Sequence, residues 1–134
     1  AVPASHPLTR HPPSMKELSE VPMITFPAGA GPNFSDITQG LFHRRGLRVH
    51  VIQQVNDLQT ALSLVASDMG FTLVPEQVRR LHREGVDYMP LEDDNITTPV
   101  IASRRRGESP NAVMRLTNTI LGELIENRVM GRYP

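Results

Sequence analysis

The chain has 134 residues, enough for one domain with a modest hydrophobic core but too few for two full-sized domains. Its 14 basic and 14 acidic residues give a formal net charge of zero, which argues against a free-standing nucleic-acid-binding protein. The absence of cysteine excludes disulfides and thiolate metal sites, and no apolar run approaches the roughly 20 residues that a membrane helix needs. We therefore expect a cytoplasmic protein with no membrane partner.

The N-terminal region is rich in proline, which limits regular secondary structure. Residues 1–14 are predicted to be a linker. The chain begins without Met, and its first residues lack the basic start and apolar stretch of a signal peptide. We expect it to be part of a longer protein.

Strands and helices then alternate. Residues 23–26 form a short apolar run between prolines and predict a strand, and residues 27–32 predict a loop. Asn33 is a favourable N-cap for a helix that Gly46 would end. Residues 48–55 show the alternation typical of a second strand.

The next helix is predicted to begin at Asn56, with Gln59 completing a capping box, and to end at residues 68–70. Residues 71–74 are a short apolar run that predicts a buried strand. Pro75 suits the first position of a helix that would run to about His82.

The last third of the chain predicts strands over residues 86–91 and 99–103, and a helix capped by Ser109. One face of this terminal helix is apolar, with Val113, Leu116, Ile120 and Leu124 at helical spacing. The alternation predicts an α/β fold, with a mostly parallel sheet flanked by helices.

The loop over residues 27–32 is the strongest candidate site. Ligands of open α/β sheets collect at the carboxyl ends of strands, and a helix N-terminus favours a carboxylate or phosphate. Gly29 and Gly31 would let the backbone approach a ligand closely. The loop matches neither nucleotide-binding motif, G-x-G-x-x-G or Walker, and an ordinary strand-to-helix turn remains the alternative.

Catalytic and metal-binding signals are weak. There is no cysteine and no G-x-S-x-G motif, and Ser35 and Ser63 fall inside helical patterns. The five histidines lack metal-ligand spacing. The acidic residues 92–94 and the basic residues 104–106 are interpreted as solvated. We therefore predict a binding protein with no enzymatic activity, no cofactor and no metal.

Residues 61–75 read ALSLVASDMGFTLVP, which resembles the helix, glycine turn and Pro-ended strand of LysR-type transcriptional regulators. Other parts of the chain agree in order with this family, and together they extend from His6 to about Leu124. These parts are residues 5–8, 18–24, 46–55 and 99–104.

The resemblance implies one subdomain of an effector-binding domain with a type-2 periplasmic-binding-protein-like fold. Residues 15–108 would be the second subdomain, and residues 109–134 a terminal helix that returns to the first. It also implies that DNA is contacted only through a separate N-terminal winged helix-turn-helix, and that the intact protein is a homo-oligomer, either dimer or tetramer. The alternative is a solute-binding or enzymatic α/β domain of the same fold.

Within the family, Gly31, Pro32, Asn33 and Phe34 are similar to a loop in regulators that respond to muconate and related aromatic-catabolism acids. The resemblance therefore implies that these four residues bind a small carboxylate effector. One departure is Asp68, where the family usually has Gly. We expect a positive φ at this helix end, which Asp tolerates better than most residues.

Overall fold

The computed structural model describes residues 1–28, 33–93, 96–97 and the helix at 112–129, whose side chains are described for 114–124. The chain divides into two compact units, Ala1–Pro99 and Val100–Pro134. The predicted strand at 99–103, the basic residues 104–106 and the predicted cap Ser109 lie outside the described residues.

The elements of the described residues are bounded as follows. The strands are β1 (Val2–Pro3), β2 (Met23–Thr25), β3 (Val51–Gln54) and β4 (Val86–Asp87). The α-helices are α1 (Met15–Ser19), α2 (Phe34–His43), α3 (Leu58–Ala66) and, in the second unit, α4 (Ala112–Val129). Two 3-10 helices span Pro7–Arg10 and Glu76–Leu81.

Backbone hydrogen bonds join the strands into one layer in the order β3, β2, Phe71, β1, β4. β2 is parallel to β3, and on its other side the Ile24 N–H donates to the Phe71 carbonyl at 2.8 Å. Thr72 and Ala1 exchange hydrogen bonds as an antiparallel pair, and β1 pairs antiparallel with β4. Only β1 opposes the other strands, which confirms the predicted mostly parallel sheet flanked by helices.

Helices cover both faces of this sheet. On one face, Met23 and Phe71 pack with α1 and α2 in a cluster of buried residues that includes Leu18 and Phe42. On the other face, Ile24 packs with Ala61, Leu62 and Val65 of α3. The alternation of Met23 and Ile24 along β2 places each residue on an opposite face, so β2 is buried from both sides.

The two long helices of the first unit begin at side-chain caps. Asn33 caps α2 as predicted, its Oδ1 accepting from the Asp36 N–H at 3.0 Å. The cap of α3 is Asp57, so the prediction of Asn56 is wrong by one residue. The Asp57 carboxylate accepts two hydrogen bonds from Thr60, one from its backbone N–H and one from its hydroxyl, each at 2.8 Å. The predicted pair of Asn56 and Gln59 has no hydroxyl that could donate a second hydrogen bond of this kind. These bonds hold the pKa of Asp57 below its ordinary value.

Several strands are shorter than predicted. Of the strand expected at 48–55, only the residues of β3 form a strand, and of the one expected at 86–91, only those of β4. The strand expected at 71–74 is reduced to a bridge between Phe71 and Met23. Backbone hydrogen bonds to β2 continue at His50 and Val55, one residue beyond each end of β3, so the pairing extends further than the strand bounds. The helix expected from Pro75 is the 3-10 helix Glu76–Leu81, with Pro75 as its N-cap.

Residues 1–14, predicted to be a linker, contain β1 and a 3-10 helix and contribute to the core. Val2 and Leu8 are buried, and the Ala4 N–H donates to the Gly85 carbonyl at 3.0 Å. Prolines limit the length of regular structure here, but they do not prevent a two-residue strand from pairing with β4.

The turn after α3 has the conformation expected from the sequence. Asp68 has a φ of 61°, in the left-handed region, and it is followed by Gly70 with a φ of 146°. Gly46, predicted to end α2, has a φ of 66°. In the second unit, α4 exposes Leu116, Ile120 and Leu124, which belong to its predicted apolar face. No helix among the described residues is long and apolar enough to cross a membrane.

Candidate functional site

The candidate site lies at the carboxyl end of β2, where the chain leaves the middle of the sheet and enters α2. The neighbouring strand segment at Phe71 runs parallel to β2 and leads away to the 3-10 helix Glu76–Leu81. α2 covers one face of the sheet and α3 the other. In α/β sheets a crevice between strands whose connections diverge is the usual place for a ligand.

A buried hydroxyl pair anchors α2 to this end of the sheet. The Oγ atoms of Thr25, on β2, and Ser35, in the first turn of α2, lie 3.3 Å apart, and both residues are 1% exposed. Gln39 Nε2 donates to the Ser35 hydroxyl at 2.8 Å. Because these polar groups satisfy one another away from water, the first turn of α2 is held firmly against β2.

The N-terminus of α2 offers hydrogen-bond donors. Asn33 caps the helix by accepting from the Asp36 N–H, and its own Nδ2 donates to the Asp36 carboxylate at 2.9 Å. The amide groups of Phe34 and Ser35 have no acceptor within the helix, as in any first helical turn. Together with the helix dipole they can hold an anion, although the exposed carboxylate of Asp36 limits the local positive potential.

Two phenylalanines flank the loop. Phe26 directly follows β2 and Phe34 begins α2, and their rings meet edge to face with centroids 6.0 Å apart. Both are partly buried, so the pair presents some apolar surface beside the helix N-terminus. An aromatic ring with a carboxylate group suits this combination of apolar surface and N–H donors.

Of the four predicted effector-binding residues, Asn33 and Phe34 lie at this site. Gly31 and Pro32 lie outside the described residues. The sequence reasoning did not select Phe26, Thr25 or Ser35. An aromatic residue on each side of the loop was a visible signal for Phe26, whereas the hydroxyl pair depends on a contact ten positions apart that no local pattern shows.

The other chemical candidates do not gather into a site. Among the described residues no group of three or more His, Asp or Glu side chains could hold a metal ion. Ser63 donates to the Gln59 carbonyl at 2.7 Å, in the manner of a helix-interior serine. In the acidic segment, Asp93 forms an ion pair with Arg45, so this carboxylate is not simply solvated as predicted.

These features define an α/β domain of the periplasmic-binding-protein-like type, with a candidate ligand site at the carboxyl end of β2. Comparison with known proteins gives the family. Residues 1–124 match the family described as LysR substrate binding domain. The chain belongs to this family.

Individual relatives support the same family assignment. The chain is similar to the HTH-type transcriptional regulator CatR of Pseudomonas putida, with 38% identity over 89% of this chain and 41% of the relative. It is also similar to the regulator BenM of Acinetobacter baylyi, with 32% identity over 90% of this chain and 40% of the relative. The chain thus spans about two fifths of the length of these relatives.

Solved structures extend the comparison. A full-length BenM mutant has a TM-score of 0.71 and 31% identity, covering 89% of this chain and 40% of that one. The BenM effector binding domain with its effector benzoate has a TM-score of 0.62 and 32% identity, covering 70% of this chain and 44% of that one. The relatives are transcriptional regulators, which favours an effector-binding domain of a regulator over a solute-binding or enzymatic domain.

Proposed function

We propose that the chain is an effector-sensing part of a LysR-type regulator and binds a small aromatic carboxylate at the N-terminus of α2. The observation that carries the proposal is the position of this helix N-terminus. It follows the central strand β2, is held by the buried Thr25–Ser35 hydroxyl pair, and is flanked by Phe26 and Phe34.

The carboxylate would accept hydrogen bonds from the amides of Phe34 and Ser35, while Asn33 holds the first turn in place. An N-terminal helix charge stabilises an anion modestly, so these donors orient the ligand more than they determine its affinity. Gly31 and Pro32 would complete the loop around it. The aromatic ring would lie against the phenylalanine pair.

The proposed class of ligand rests on two independent supports. The phenylalanine pair favours an aromatic ring, and one similar solved structure contains benzoate as its effector. Muconate, a related catabolic acid, has two carboxylates and no ring, so it would use the helix N-terminus without the aromatic contact.

In the regulator as a whole, effector binding would shift an equilibrium between conformations of a DNA-bound homo-oligomer in the cytoplasm, with an N-terminal helix-turn-helix contacting DNA. Nothing beyond effector binding would be required of this domain, and no reaction of the effector is proposed.

Self-association would use α4, whose exposed side chains Leu116, Ile120 and Leu124 form an apolar stripe. Such a stripe usually has a partner surface. Sedimentation of the chain at micromolar concentration should show dimers or larger species that dissociate in the variant Ile120→Glu. A monomer at all concentrations would rule this out.

The binding site is tested by two substitutions with opposite expected effects. Asn33→Asp keeps the capping oxygen but adds a negative charge where the carboxylate would bind. Asp36→Asn removes a negative charge from the same turn. In calorimetric titrations with benzoate, the first should weaken and the second strengthen binding by about twofold to tenfold.

Benzyl alcohol, which keeps the ring but lacks the charge, is the control ligand and should respond to neither substitution. Because a folding defect cannot strengthen binding, the Asp36→Asn result separates electrostatics from stability. Equal benzoate affinity in both variants and the parent chain would reject the site.

A further inference from the structure

The side chains at the end of β2 alternate between the two faces of the sheet. Thr25 faces α2, where its hydroxyl meets that of Ser35. Ile24 faces α3, and Phe26, two residues further along the chain, packs against the same hydrophobic cluster as Ile24. The side chain of Phe26 therefore belongs to the α3 side of the sheet.

The ring of Phe26 also meets a ring from the opposite side. Phe34 begins α2, which covers the other face, and the two ring centroids lie 6.0 Å apart with their planes inclined by 63°. This ring pair therefore crosses the sheet at the carboxyl end of β2, beside the helix N-terminus. Both residues are partly exposed, so a ligand at this edge can touch either ring.

The two phenylalanines differ in how firmly they are held. Phe26 directly follows β2, whose pairing continues to this point because the Val55 N–H donates to the Thr25 carbonyl at 2.9 Å. Its ring also packs against the cluster on the α3 side, whereas Phe34 is part of neither hydrophobic cluster formed by the described residues. Phe26 is therefore the fixed member of the pair, and its ring helps to position that of Phe34.

We infer that Phe26 is a specificity-determining residue of the candidate site and gives it a preference for an aromatic ring over a saturated ring of the same charge and similar size. The inference rests on the proposed binding of a carboxylate at the N-terminus of α2. The helix N–H groups hold the carboxylate of any small acid alike, so contacts with the rest of the ligand must distinguish one acid from another. Aromatic rings attract one another through their quadrupoles, in addition to the apolar area that they bury, and a saturated ring lacks this attraction.

This assignment gives the two phenylalanines different roles. Phe34 contributes its backbone amide to the carboxylate, and Phe26 contributes a ring alone. A substitution at Phe26 should therefore change the selectivity of the site and leave its ability to hold a carboxylate.

The test compares benzoate with cyclohexanecarboxylate, which has the same charge and a similar size but no aromatic ring. Dissociation constants are obtained from the amide shifts of residues 33–36 in the ¹⁵N-labelled chain. The parent chain should prefer benzoate by about twofold to tenfold, the range expected for one aromatic pair. Phe26→Leu should abolish this preference by weakening benzoate binding, with the affinity for cyclohexanecarboxylate nearly unchanged.

Two controls separate selectivity from folding. Phe26→Tyr keeps the ring and should keep the preference for benzoate. Cyclohexanecarboxylate uses the same N–H groups as benzoate, so its retained affinity shows that the site of Phe26→Leu is intact.

The inference and the proposed function fail in different ways. If both acids bind but the parent chain has no preference for benzoate, or if Phe26→Leu keeps the preference, the inference is overturned and the carboxylate site stands. Equal weakening of both acids by Phe26→Leu would also overturn it, because the role of Phe26 would then be structural. If neither acid gives saturable shifts at residues 33–36, the proposed function fails and the inference fails with it.

Discussion

Replacing Gly70 with alanine tests how α3 is joined to the sheet. Gly70 has a φ of 146°, and an added Cβ would lie 2.2 Å from the Pro22 carbonyl oxygen. That oxygen accepts from the Phe71 N–H at 2.9 Å, the bond that sets Phe71 beside β2. The backbone therefore cannot relieve the clash without weakening this pairing.

The cost combines two contributions. A side chain in a conformation that favours glycine costs about 1–3 kcal/mol, and the weakened hydrogen bond adds about 0.5–1.5 kcal/mol. We expect Gly70→Ala to lower the free energy of unfolding by roughly 2–4 kcal/mol, a large share of a small domain's stability.

Gly46→Ala is the matched control. Gly46 also has a positive φ, 66°, but an added Cβ would meet nothing within 4 Å. It should cost about 1–2 kcal/mol, from backbone strain alone. Urea denaturation followed by circular dichroism measures both variants. Equal losses at the two positions would refute the close approach of Gly70 to Pro22.

Four other substitutions test the core, the site and a helix cap. Phe42→Ala should lower the free energy of unfolding by about 3–5 kcal/mol because Phe42 is 1% exposed, whereas Phe34→Ala, at a partly exposed position, should cost clearly less in the same urea assay. Ser35→Ala should cost about 1–3 kcal/mol, since it leaves the buried Thr25 hydroxyl and the partly buried Gln39 amide without this partner, and thermal melting with no change would contradict the hydroxyl pair. Asp57→Asn should remove a stabilisation that is present above the ordinary Asp pKa and is lost as the pH falls through the lowered folded value, so the urea midpoints of parent and variant should converge below about pH 4. A difference that persists at lower pH would contradict the lowered pKa of Asp57.

Short sequence patterns correctly predicted two helix ends and the N-cap of α2. Asn33 precedes an apolar helical pattern and has Asp36 three residues on, and the structure shows it as the N-cap of α2. Gly46 and Asp68 both have the left-handed conformation expected where a helix ends. Each of these features depends on neighbours within a few residues.

Features that depend on distant contacts were not predictable from local patterns. Val2 and Pro3 pair with β4, more than eighty positions away, so a Pro-rich segment expected to be a linker contributes a strand. The strand expected at 71–74 is reduced to a bridge with Met23, a partner nearly fifty positions away. Asn56 and Asp57 are both good caps, and the hydroxyl of Thr60 favours Asp57.

The candidate site also has one part that the sequence predicts and one part that depends on distant contacts. The helix N-terminus at Asn33 follows from sequence, because a loop and a cap are local features. The Thr25–Ser35 hydroxyl pair appears only when the chain is folded.

Effector binding at the α2 N-terminus is tested most directly by titrating the ¹⁵N-labelled chain with benzoate and, in parallel, with benzyl alcohol. Benzoate should give saturable amide shifts at residues 33–36, with the largest changes at Phe34 and Ser35. Benzyl alcohol should give weaker shifts without saturation over the same range, because it has no charge for the helix N-terminus to hold. Identical responses to the two ligands, or benzoate shifts that leave residues 33–36 unchanged, would contradict the proposed function.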